Sequence, residues 1–92
     1  MRIRWTETAI HDLTNICNYI EEHGGPASAR RVALTIYNGI SSLTQFPGRG
    51  RPGRKPNTRE LIFPGLPYLA VYGLREDVVE IVRILHGAQK WP

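Results

Sequence analysis

The sequence predicts an α+β domain of order β-α-α-β-β-β, a helical hairpin packed on one face of a small antiparallel sheet. Three observations predict it. Two apolar stripes at helical spacing are separated only by Gly24-Gly25-Pro26. Three segments rich in Val, Ile, Leu and Tyr follow, divided by turn signals. Ahead of both, Arg2-Ile3-Arg4-Trp5 alternates polar and apolar, as a short strand does.

Thr6 is a good N-cap for the first helix, with Glu7 in the first turn, where the helix dipole favours an acid. Ala9, Leu13, Ile16, Cys17 and Ile20 form its apolar stripe, and Gly24-Gly25 ends it. Pro26 suits the first turn of a second helix. That helix carries Ala29, Val32, Ala33, Ile36, Ile40, Leu43 and Phe46 on one stripe and is stopped by Pro47-Gly48. So short a connection makes the pair antiparallel, and their stripes need a sheet to cover them. Arg59–Phe63, Tyr68–Leu74 and Val78–Leu85 supply it as a meander, turning at Pro64-Gly65 and Glu76-Asp77. With the helices on one face, the other face of the sheet stays partly open.

Charge is distributed unevenly. Up to residue 48 four arginines meet four acids, and from residue 60 onward the balance is one negative charge. Arg49, Arg51, Arg54, Lys55 and Arg59 therefore hold the whole surplus of a chain whose net charge is +4. A concentrated excess draws polyanions or acidic protein segments. Ninety-two residues suit one domain spanning 1–92. A lone cysteine, Cys17, excludes a disulfide framework, and His11, His23 and His86 have no metal-ligand spacing, so neither metal nor other cofactor is expected. The sequence has no signal peptide and no apolar run long enough to span a bilayer, so a cytoplasmic protein without a membrane partner is expected.

Several of these stretches, in this order, carry a family resemblance: Trp5-Thr6, Asp12-Leu13 and Tyr19-Ile20, Leu43-x-x-Phe46-Pro47, the glycine/arginine loop, Thr58-Arg59-Glu60-Leu61, Pro67-Tyr68 with Tyr72, and Arg83-Ile84-Leu85-His86-Gly87-Ala88 with Trp91. The chain resembles, over nearly its whole length, the RelE/ParE superfamily of bacterial type II toxin–antitoxin toxins. The resemblance implies a growth-inhibiting toxin neutralised by a cognate antitoxin, with operator DNA met only through the antitoxin complex. RelE-like members cut mRNA in the ribosomal A site; ParE-like members block DNA gyrase and cut nothing.

Metal-free RNA cleavage needs a base for the 2′-hydroxyl, an acid for the leaving oxygen and cations on the phosphorane. His86 has a side chain suited to acid or base work, and Arg59 and Arg83 offer permanent cationic forks; these three are the candidate catalytic residues. Arg49, Arg51, Arg54 and Lys55, with Tyr68, are the candidate residues for gripping nucleic acid or another target. Each catalytic candidate has a structural alternative. His86 can be a hydrogen-bonded strand end, Arg59 can pair with Glu60 or Glu80, and Arg83 can be an inward ion-pair partner. In a regular strand Arg83 and His86 point to opposite faces, so a shared site requires a bulge between them or an early strand end. The chemistry available puts ribosome-dependent mRNA cleavage ahead, with non-enzymatic gyrase inhibition as the alternative.

Overall fold

The computed structural model describes residues 1–91; Pro92, the last residue of the expected domain, lies outside the described residues. Strand β1 (Arg2–Trp5) leads into helix α1 (Glu7–Gly24) and helix α2 (Pro26–Ser41). Strands β2 (Arg51–Pro52), β3 (Arg59–Ile62), β4 (Tyr68–Arg75) and β5 (Val78–His86) complete the domain. The predicted order holds, and both helices pack on one face of the sheet.

Local chemistry sets the helix boundaries. Thr6 Oγ1 accepts the Ala9 N–H at 3.1 Å and also donates to the Val82 carbonyl at 3.0 Å. The cap therefore starts α1 and moors it to β5. Between the helices Gly25 adopts φ +87°, a conformation that side chains resist, and Pro26 follows at the first helical position. Helix α2 stops earlier than its stripe suggests. Ser42 and Thr44 turn their hydroxyls back onto the carbonyls of Gly39 and Ser41, and the chain tightens into a 3₁₀ turn over Ser42–Thr44. Phe46 consequently leaves the stripe and lies 62% exposed instead of in the core.

The sheet order is β1-β5-β4-β3-β2. The meander β3-β4-β5 is antiparallel as expected, but the sheet as a whole is mixed, because β1 runs parallel to β5 with Arg2 opposite Val78 and Trp5 opposite Ile81. The two-helix crossover gives the chain the length that such a parallel pairing needs. A further departure lies in the basic segment. Expected as the glycine/arginine loop, it contributes β2, which pairs with Arg59 and Glu60 and extends the sheet by one short edge strand.

One core fills the space between helices and sheet, with Ile36, Ile40 and Leu43 facing Leu61, Tyr72, Ile81 and Ile84. A smaller cluster of Leu69, Val71 and Leu85 lies on the opposite face, and Val82 and Trp91 pack against it. The C-terminal segment thus folds back over the face that the helices leave bare. The two clusters keep their sides of β5 through a bulge at Val82: Tyr72 faces Ile81 and Val71 faces Arg83, leaving Val82 unopposed.

Candidate functional site

The basic segment is built around one buried tyrosine and one buried glutamate. Tyr72, fully buried, donates its hydroxyl to the Pro47 carbonyl at 2.8 Å and accepts the Gly50 N–H at 2.9 Å. Its ring rises from the helix face of the sheet and fixes the start of the segment at two points. Gly50 is required by the approach itself, since a Cβ there would lie 2.7 Å from the tyrosine oxygen and 2.9 Å from the Glu60 carbonyl. Arg59 points to the same place. Its Nη1 donates to the carbonyls of Gly50 at 2.7 Å and Gly48 at 3.2 Å, and it pairs with neither Glu60 nor Glu80.

Glu60 points from the other face and is only 2% exposed. Arg51 donates to its Oε1 through Nε at 3.3 Å and Nη2 at 3.0 Å, while the Arg54 backbone N–H and Nε approach Oε2 at 3.3 Å. A buried carboxylate needs this many donors, because an unpaired one would be expelled or neutralised. Arg54 then reaches on with Nη1 to the Gln89 carbonyl at 3.0 Å, and Lys55 Nζ sits 5.8 Å from the Trp91 ring centroid. Arg49 donates to Ser42 Oγ at 2.7 Å. Each of the four arginines of the segment is therefore tied by a hydrogen bond or ion pair, while Arg51 still shows 58% of its side chain to solvent.

Arg83 is held elsewhere. Asp12 on α1 takes Nε at 2.7 Å and Nη2 at 3.0 Å, and its Oδ2 also accepts the Ile84 N–H at 3.0 Å. Strand β1 has ended by this point, so Asp12 stands in for a strand partner along the uncovered edge of β5. The hydrogen bond to Asp12, aided by charge attraction, raises the Arg83 guanidinium above its ordinary value against the desolvation that opposes it.

His86 begins a tight turn. Its Nδ1 accepts the Ala88 N–H at 3.1 Å, its carbonyl accepts the Gln89 N–H at 2.9 Å, and its own N–H donates to Gln89 Oε1 at 2.7 Å. The ring is exposed and meets Tyr68 edge-on, 5.9 Å between centroids and 87° between planes. With Nδ1 engaged as acceptor, the neutral imidazole carries its proton on Nε2. The bulge lies at Val82, ahead of both Arg83 and His86, so the two keep opposite parity: Arg83 is opposite Val71 and His86 opposite Tyr68. The structure brings Tyr68 and His86 together, gathers Arg51, Arg54 and Lys55 around Glu60 and the C-terminal segment, and assembles no cluster of Arg59, Arg83 and His86. Sequence reasoning missed Asp12 as a functional anchor. Its one signal is an acid three residues after the buried Ala9, on the flank of an apolar stripe.

The family model described as the ParE toxin of type II toxin–antitoxin system, parDE, matches residues 3–91. This chain belongs to the ParE toxin family. Among similar family relatives, the Sinorhizobium fredii protein Y4kP is 42% identical over 91 residues, covering 99% of this chain and 93% of that protein. Toxin RelE2 of Caulobacter vibrioides is 35% identical over 88 residues, 96% of this chain and 97% of its own. The solved structure of the chromosomal ParDE TA system from P. aeruginosa contains a chain superposing with a TM-score of 0.85 at 27% identity, over 94% of this chain and 95% of that one. In this ParE-family chain the sheet is mixed and the basic segment adds its edge strand. Among the described residues no helix is long and apolar enough to cross a membrane.

Proposed function

We propose that this ParE-family toxin inhibits growth by occupying DNA gyrase rather than by cutting RNA, and that a cognate antitoxin neutralises it. The observation that carries this reading is the His86 turn. A general base needs a free imidazole nitrogen facing its substrate, but Nδ1 is committed to Ala88 and Nε2 bears the proton. Making the imidazolium, the form a general acid requires, protonates Nδ1 and gives up the hydrogen bond that shapes the turn. Arg59 and Arg83 support the same reading, since Arg59 gives its Nη1 to backbone carbonyls and Arg83 gives Nε and Nη2 to Asp12. What is left is a cationic surface whose arginines are hydrogen-bonded in place, which suits binding.

Ribosome-dependent mRNA cleavage is the second reading, favoured by the exposed His86 against Tyr68 and by the 35% identity to Toxin RelE2. Purified toxin and gyrase separate the two. The gyrase reading expects loss of supercoiling and trapped cleaved DNA without ribosomes, and it expects His86→Asn, which keeps a turn acceptor but no titrating ring, to remain toxic. Unimpaired supercoiling at saturating toxin, together with new mRNA 5′ ends that vanish in His86→Asn, overturns it.

A further inference from the structure

The face of the sheet away from the helices holds a cleft of about 460 Å³ between the Lys55–Thr58 turn, the ends of β4 and β5, and Trp91. Its floor is Val82 beside Trp91, and its rim carries Lys55 and Arg75. Neither cation is held by an ion pair or a side-chain hydrogen bond to any described residue, whereas Arg51 and Arg54 pair with Glu60 and Arg49 and Arg59 donate to Ser42 and to backbone carbonyls. The acid of the cleft, Glu80, does not neutralise them, because Arg4 holds its carboxylate at 2.7 Å. At the nearby β4–β5 turn Asp77 faces Arg2.

A site of two unpaired cations above an apolar floor fits an anionic ligand with an apolar neighbour. Single-stranded nucleic acid fits poorly, since it needs an open aromatic face for its bases. Trp91 does not offer one: its ring packs on Leu69, Val71 and Leu85 and lies beneath Lys55. A polypeptide supplies both halves of the match, a carboxylate for Lys55 and Arg75 and an aliphatic side chain for the floor.

We propose that this cleft seats an acidic polypeptide segment in which a carboxylate side chain adjoins an aliphatic one. The surface is separate from the His86–Tyr68 pair, and the proposal holds whichever macromolecule the toxin arrests. The test is an NMR titration of ¹⁵N-labelled full chain with three probes: acetyl-Leu-Glu-Leu-Glu-amide, the same peptide with Gln for Glu, and hexathymidylate. The acidic peptide should move the Trp91 indole signal and the amides of Gly73, Leu74 and Arg75, and the Gln peptide should leave them in place. Lys55→Glu/Arg75→Glu should weaken binding about tenfold or more, as loss and reversal of two charge contacts implies. Should that variant lose its native spectrum, Lys55→Gln/Arg75→Gln carries the same expectation. Equal response to the Gln peptide, tighter binding of hexathymidylate at these signals, or no response to the acidic peptide would each overturn the proposal.

Discussion

Replacing Tyr72 by Phe tests whether the core holds the basic segment in place. The substitution keeps the ring and removes one oxygen that is bonded on both sides, to Pro47 and to Gly50. Each of those bonds contributes on the order of 1 kcal/mol, and removing the shared partner leaves an N–H and a C=O without their mate in a closed pocket. The expected loss is about 2–3 kcal/mol, a large fraction of a small domain's stability. For a domain of this size that lowers the melting temperature by roughly 8–24 °C. Urea denaturation followed by tryptophan fluorescence measures the loss, and amide exchange at Gly50 and Arg51 shows where it falls. The midpoint should move with little change in slope, and the two amides should exchange faster than those of β4. A change below about 0.5 kcal/mol, or exchange at Gly50 no faster than in the parent, refutes the idea that this hydroxyl pins the segment.

Asp12→Ala should cost about 2–3 kcal/mol in the same urea assay, because it strands both the Arg83 guanidinium and the Ile84 N–H. A cycle with Arg83→Ala should be non-additive; simple additivity would mean the pair is not coupled. Cys17 gives a pH signature. Burial raises its thiol above the ordinary value, so the protonated form is favoured in the fold. Its contribution is complete below the unfolded thiol's pKa and is lost as pH rises through the higher folded one, on the alkaline side of about pH 8.5. Urea midpoints at pH 7.5 and 10 should therefore differ less in Cys17→Ala than in the parent, and iodoacetamide at pH 8 should label the native chain more slowly than the unfolded one.

What the sequence made legible was what local chemistry decides. Thr6, Gly24-Gly25 and Pro26 mark the helix ends because caps and backbone preferences act over a few residues. The meander was readable from its turn signals for the same reason. The parallel pairing of β1 with β5 was not, since its partners lie 76 positions apart and nothing in either strand names the other. Phe46 continued the helical spacing, but the Ser42 and Thr44 hydroxyls ended the helix first. The site was half visible. The concentration of charge was plain, yet a count of cations cannot reveal that Glu60, one residue beyond them, is buried and takes two of them with it. Nor does spacing alone place a bulge at Val82, which the packing of two clusters on opposite faces of one sheet decides.

The clamp of Asp12 on Arg83 also sets a schedule. The two residues are 71 positions apart, and each residue of β1 waits 76 positions for its neighbour in the sheet. At roughly 5–20 residues per second, about 4–14 s of synthesis separate the first helix from the strand it docks on. During that interval α1 and α2 have each other but no sheet to cover their apolar stripes. A transcript broken before β5 yields a polypeptide without the element on which both β1 and α1 close. The sheet and the first helix therefore close together, and only once β5 has been made.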